Sequence, residues 1–194
     1  MFTTGLVLAA GKSKRLGQPK QLLEFRDRTL LDATLDMARA CCFDQLIVSL
    51  GAAAGEVRST VDLSGCVAVD NVHFTQGCSS SIVAALASVD DRADGLVLLL
   101  GDQPAVTPAA VRALRNEGAS GAPLAVCRYD DGRGHPFWFA RSMFRDLEKL
   151  HGDKAVWKLL ESGEWPVHEV GVGGSIPLDV DTWADYELLL ESTR

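Results

Sequence analysis

The sequence predicts an α/β fold, a mostly parallel β-sheet with helices on its faces. Two observations carry that expectation. Short, almost unbroken Val/Leu/Ile/Ala runs recur at 5–10, 46–50 and 95–100. Parallel strands, covered on both faces, read as such continuous apolar runs rather than as alternation. Segments with helical spacing fall between the early strands, so that the first 70 residues read βαβαβ, the pattern of parallel strands joined by crossover helices.

The first run, 5–10, leads directly into Gly11, and residues 12–20 add Lys12, Lys14, Arg15 and Lys20. A strand ending in a glycine-containing loop is where open α/β sheets bind ligands. Gly11 and Gly17 let the backbone approach a ligand closely, successive N–H groups in such a turn can form an anion-binding concavity, and Ser13 offers a hydroxyl. Five residues separate Gly11 from Gly17, and Gln18-Pro19 stand before Lys20. That spacing is neither the Walker A loop nor the dinucleotide G-x-G-x-x-G. A solvated basic surface loop is the alternative for the charges alone.

Residues 29–43 read as a helix in which Leu31, Leu35, Ala38 and Cys42 share one face. The strand 46–50 follows, then a short helix over 52–61 and a weaker strand over 67–70. A polar loop, 71–81, leads into a helix through Gly77-Cys-Ser-Ser-Ser81, where serine accounts for at least one cap. The strand 95–100 is the most apolar and is therefore expected at the centre of the sheet. It ends in Gly101-Asp102-Gln103-Pro104, where Asp102 is either a turn former or a carboxylate facing the ligand crevice. Thr107-Pro108 starts a helix to about Asn116. Strands at 124–128 and 137–139 follow, then helices at 142–150 and 155–161 and a strand at 167–172. Gly171-Val-Gly-Gly174 reads as a hairpin tip, and Thr182 with Asp185 as a capping box before a helix at 186–190. Asp179 and Asp181 flank Val180, so in extended chain both point to one face, where two carboxylates repel unless a cation intervenes.

At 194 residues the chain fits one domain, 1–194, with a sizeable core. Its apolar fraction of 47% and charged fraction of 23% are ordinary for a globular protein. No apolar run approaches the ~20 residues of a membrane span, and residues 1–5 lack a basic leader, so a cytoplasmic protein without membrane contact is expected. The five cysteines show no C-x-x-C spacing, which argues for reduced thiols in core packing rather than disulfides or zinc. A net charge of −7 argues against nucleic-acid binding. Residues 12–28 nevertheless hold six basic side chains against two acidic ones, a focused site for a small anion.

The stretch Leu8-Ala-Ala-Gly-Lys-Ser-Lys-Arg-Leu-Gly-Gln-Pro-Lys-Gln-Leu-Leu23 resembles the signature of nucleotidyltransferases with a glycosyltransferase-A-like fold, and most closely that of the MocA-type molybdenum cofactor cytidylyltransferases. Leu-Leu-Gly-Asp-Gln-Pro around Asp102, Gly-His-Pro at 134–136, Gly-Asp-Lys at 152–154 and Asp-Val-Asp-Thr at 179–182 extend the resemblance along the chain. It implies a three-layer αβα sandwich around a Rossmann-like sheet. It implies nucleotide contacts from Leu8, Ala9, Ala10, Gly11, Lys12, Ser13, Arg15, Lys20, Gly77 and Ser81. Asp102 and Asp181 are implied as ligands of Mg²⁺ (or Mn²⁺), with Asp179 outside them. The resemblance further implies that Arg15, Lys20 and Asp102 carry the catalysis and that His135 and Lys154 face the acceptor, although Asp153 in that turn is also read as a cap for the helix that follows.

The activity implied is transfer of CMP from CTP to the terminal phosphate of the molybdenum cofactor, a phosphorylated pterin, with release of pyrophosphate and with transient contact to a molybdenum oxidoreductase. The preference for CTP rests on Ala10, where the guanylyl enzymes have glycine. Three alternatives stay open: GTP as donor, another phosphorylated acceptor, and a non-catalytic chaperone of the cofactor. Tyr129, Trp138 and Trp157 either line an aromatic pocket or belong to the core.

Overall fold

A computed structural model describes residues 1–192. The chain runs β1 (Thr3–Ala9), a small hairpin of β2 (Glu24–Phe25) and β3 (Arg28–Thr29), α1 (Leu30–Ala40), β4 (Gln45–Leu50), α2 (Ala54–Thr60) and β5 (Val67–Asp70). It continues through α3 (Cys78–Leu86), β6 (Gly95–Leu100), α4 (Pro108–Ala119), β7 (Leu124–Tyr129) and β8 (Gly132–Ala140). The last elements are α5 (Phe144–Leu147), α6 (Ala155–Glu161), β9 (Val167–Gly171) and α7 (Trp183–Ser192).

Seven strands form one sheet in the order β5-β4-β1-β6-β8-β7-β9. Strand β8 alone runs antiparallel to its neighbours β6 and β7. The other pairings, β1 with β4 and β6, β4 with β5, and β7 with β9, are parallel. The most apolar strand, β6, stands fourth of seven, as its composition predicts.

Two apolar clusters fill the two sides. One joins Val7, Val48, Val97 and Trp138 to α1, α2 and α4. The other joins Leu6, Ile47, Leu96 and Phe137 to α3, α5 and α6. Alternation along each strand sends neighbouring residues to opposite layers, which gives the αβα sandwich. A third cluster, Leu16, Leu23, Phe25, Leu30, Val180 and Leu189, packs the glycine loop, the hairpin and α7 together.

Several local expectations are corrected. Helix α1 begins with the capping box of Thr29 and Asp32 but ends at Ala40. Cys41 is buried, whereas Cys42 is exposed in a left-handed conformation (φ 53°) and lies off the apolar face. The serines do not cap α3: it already begins at Cys78, Gly77 is the capping position with φ 101°, and no side chain of that residue can help. Helix α4 runs to Ala119. The segment after β9 is not a hairpin tip. Val172 N–H bonds the Arg128 carbonyl, and Gly174 and Ile176 N–H groups bond the carboxylates of Asp130 and Asp131. The chain thus crosses over the β7–β8 turn along the carboxyl, ligand-binding end of the sheet. Among the described residues, no helix is long and apolar enough to cross a membrane.

Candidate active site

From β1 the chain passes through α1 to β4 and β5 on one side, and then returns to β6 on the other side of β1. The carboxyl ends of β1 and β6 therefore mark the switch point where such sheets open a crevice. The glycine loop leaves β1 there, and Asp102 follows β6. Gly101 N–H bonds the Leu8 carbonyl at 2.9 Å, so the two loops start side by side. An open cavity of about 660 Å³ lies above them.

Leu8, Ala10, Gly11, Lys12, Lys20, Gly77, Ser81, Asp102, His135, Lys154 and Asp181 all line this cavity. Ala9, Ser13 and Arg15 do not. Ala9 is packed in the core. The Ser13 hydroxyl accepts the Lys20 N–H at 2.9 Å, folding the loop back on itself. Arg15 is exposed, and its charge reaches Asp185, the capping carboxylate of α7.

Lys20 is the hub of the polar wall. Its ammonium donates to Asp102 Oδ2 at 2.6 Å and to Asp181 Oδ1 at 2.9 Å. Burial works against the charge, but the two carboxylates outweigh it and hold the Lys20 pKa above its ordinary value. Asp102 is itself buried and also accepts the Val180 N–H at 3.2 Å. Val180 sits fully buried in the third cluster, so its neighbours Asp179 and Asp181 are turned the other way, into the cavity. Gln103 holds this segment down by donating to the Pro177 carbonyl at 2.8 Å and to Asp179 Oδ1 at 2.6 Å. Burial, and then the negative charge of Asp102, push Asp179 up to about 6.

Two carboxylates that already share one cation form a donor set suited to a divalent ion. Among the described residues, no three His, Cys, Asp or Glu side chains converge on one point. Asp102 and Asp181 are thus two carboxylates side by side at the cavity, and Mg²⁺ commonly accepts one or two carboxylates together with phosphate and water oxygens.

Gln21 went unnoticed in the sequence. Buried behind the glycine loop, its amide donates to the carbonyls of Ala9 at 2.7 Å and Gly11 at 3.2 Å. It ties down both sides of Ala10. Nothing in the sequence separates it from an ordinary surface glutamine, because its partners are backbone atoms ten and twelve residues away.

The opposite wall is largely aromatic around His135 and Trp157, with Lys154 beside them. The His135 ring lies 4.1 Å from that of Phe137, and both meet the Trp157 ring edge-on. Burial pushes the His135 imidazole down to about 3. Of the three aromatics weighed from the sequence, Trp157 lines the cavity, while Trp138 and Tyr129 are core. Phe74 at the rim lies under the Lys12 ammonium, 5.3 Å from ring centre to nitrogen.

A basic glycine loop and paired carboxylates at the switch point of a GT-A-like αβα sandwich define a nucleotidyltransferase. Residues 5–169 match the MobA-like NTP transferase domain, and the chain belongs to that family. Rv0371c of Mycobacterium tuberculosis has the same fold, with a TM-score of 0.92 at 56% identity over 97% of both chains. A structure of Rv0371c in complex with manganese gives 0.88 at 52% identity, over 99% of this chain and all of that one. The molybdenum cofactor cytidylyltransferase of Escherichia coli is 30% identical over 93% of this chain and 92% of its own length. The nicotine blue oxidoreductase of Paenarthrobacter nicotinovorans is 41% identical over 54% of this chain. The match spans about half (51%) of that protein's length.

Proposed function

We propose that the protein transfers CMP from CTP to the terminal phosphate of the molybdenum cofactor and releases pyrophosphate. The observation that carries the reaction type is the convergence of Lys20, Asp102 and Asp181 beside the glycine loop. The narrower reading draws on the E. coli relative and on Ala10 at the cavity wall.

In this reading an oxygen of the acceptor phosphate attacks the α-phosphorus, the bond to the β-phosphate oxygen breaks, and pyrophosphate leaves with the electron pair. A phosphate dianion is already nucleophilic, so positioning and charge neutralisation carry the rate. Lys12, Lys14 and Lys20 line the cavity and would neutralise the triphosphate, and Lys154, which lines it too, would meet the acceptor phosphate. His135, neutral at physiological pH, offers a hydrogen bond and a ring face rather than a charge. Trp157 beside it fits a planar heteroaromatic acceptor. Asp102 and Asp181 would hold Mg²⁺ or Mn²⁺, which would supply Lewis-acid charge neutralisation for the reacting phosphates. A cytoplasmic setting and a transient contact with a molybdenum oxidoreductase belong to the same reading.

The test is pyrophosphate release from CTP and, separately, from GTP, with Mn²⁺ or Mg²⁺ and isolated molybdenum cofactor. Release with CTP alone is expected. Release with GTP alone would keep the reaction type and overturn the role of Ala10. Binding of the cofactor without release from either nucleotide would favour a chaperone.

A further inference from the structure

Helix α3 enters the cavity with its amino end, and that end is capped from far along the chain. Cys78 N–H donates to Asp153 Oδ1 at 3.1 Å, and Ser79 N–H to the Gly152 carbonyl at 3.3 Å. These are the first two amides of the helix, which have no partner within it. Gly77 makes the approach possible: a Cβ there would stand 2.6 Å from the Gly152 carbonyl carbon and 2.8 Å from Asp153 N. The two backbones therefore touch with no side chain between them. On its other flank the helix start is pinned by Asn71, whose amide donates to Ser80 Oγ at 2.8 Å and Ser81 Oγ at 3.0 Å. Both sides of the seam line the same cavity, Gly77 and Ser81 on one, Lys154 and Trp157 on the other.

We propose that Asp153 is a positioning residue that couples the nucleotide half of the cavity to the acceptor half, so that ordering the 77–81 segment orders Lys154 and its turn. This rests on the reading of the cavity as a nucleotidyl-transfer site. Because Asn71 fixes one flank of the helix start, a movement there passes into 152–154 through the capping bonds. The Asp153 carboxylate also occupies the helix end that would otherwise attract a phosphate, which leaves the phosphates to the lysines.

The test is hydrogen exchange on the full chain with and without CTP or GTP plus Mn²⁺, in wild type, Asp153→Asn and Asp153→Ala. Asparagine keeps the acceptor oxygen and alanine removes it. Nucleotide is expected to slow exchange at both 77–81 and 151–154 in wild type and Asp153→Asn, but only at 77–81 in Asp153→Ala. Loss of that cap also speeds exchange at Cys78 in the free alanine variant by about fivefold, up to about thirtyfold. Thermal unfolding of each variant separates this from global loss of structure. Protection confined to 77–81 in wild type overturns the proposal, and so does an alanine variant that behaves as wild type. Absence of protection at 77–81 with either nucleotide overturns the underlying reading of the cavity, and the coupling with it.

Discussion

Replacing Lys20 by methionine tests the centre of the site. Methionine keeps an unbranched chain of similar reach and removes the ammonium from between Asp102 and Asp181. Asp102 is then left buried with the Val180 N–H, at 3.2 Å, as the partner that remains. Stranding one member of a buried ion pair costs about 3–5 kcal/mol. The Asp181 arm adds ~1 kcal/mol or less, because that side chain is 58% exposed. The desolvation of Lys20 itself is recovered, which brings the net loss to about 3 kcal/mol. For a chain of this size that is a fall in melting temperature of roughly 6–12 °C.

The same substitution frees two carboxylate oxygens for a metal. Added Mn²⁺ without nucleotide should therefore raise the melting temperature of Lys20→Met more than that of wild type, in which the ammonium competes for those oxygens. Differential scanning fluorimetry across a Mn²⁺ titration measures both effects. Pyrophosphate release should fall by about 10²–10³-fold, as when a preorganised charge-stabilising group is lost. A variant that melts within about a degree of wild type, or a wild type that gains more from Mn²⁺ than the variant does, would refute the account of Lys20 as the shared cation of this pair.

Two further outcomes follow from the core and the aromatic wall. Because the folded His135 value of about 3 lies below its ordinary 6.5, the unfolded chain takes up a proton below pH 6.5 that the folded chain refuses. Its share of stability is complete above pH 6.5 and declines by up to about 1.4 kcal/mol per unit as the pH falls toward 3; His135→Gln should flatten that slope in urea titrations at pH 7, 6 and 5. In α4, Gly118→Ala reverses the usual helix preference: the new Cβ would stand 2.2 Å from Trp138 Cε2. Overpacking of about 1–3 kcal/mol outweighs the helix gain of about 1 kcal/mol, and a stabilised variant in chemical denaturation would contradict that packing.

The strands were legible because burial on both faces leaves continuous apolar runs, and β6 could be placed centrally on its composition. Caps were legible where both partners are local, as at Thr107 before Pro108 and at Thr182 with Asp185. They were illegible where the partner is remote. Helix α3 is capped by a residue 75 positions away, and the three serines at its start are not its caps. Cys42 fitted the helical period of α1, but period alone does not say where a helix stops. The crossing of 172–176 over the β7–β8 turn depends on Asp130 and Asp131 accepting its amides, which no local pattern announces. Within the site, the residues carrying charge were found by motif, whereas Gln21 and Gln103, which hold backbone carbonyls, were not.

The family match ends at residue 169, yet the second carboxylate of the Lys20 pair is Asp181. The segment that carries it is attached by apolar packing, by the Val180 N–H to Asp102 and by the Gln103 amide. Val180 and Leu189 lie in the cluster that also holds Leu16 and Leu23, on either side of Lys20 in sequence. Tyr186 bonds the Glu24 carbonyl in the hairpin. The two ends of the chain thus share one small core, and each contributes one party to the same ion pair. Alternation about Val180 converts that burial into direction: the more firmly the valine is held among Leu16, Leu23 and Phe25, the more narrowly Asp179 and Asp181 are aimed at the cavity. Gln103 adds the link to β6, since its amide spans Pro177 and Asp179 next to Asp102. Three remote parts of the sequence therefore meet at one charge centre, where β6 of the main sheet positions Asp102 and the small cluster positions Asp181.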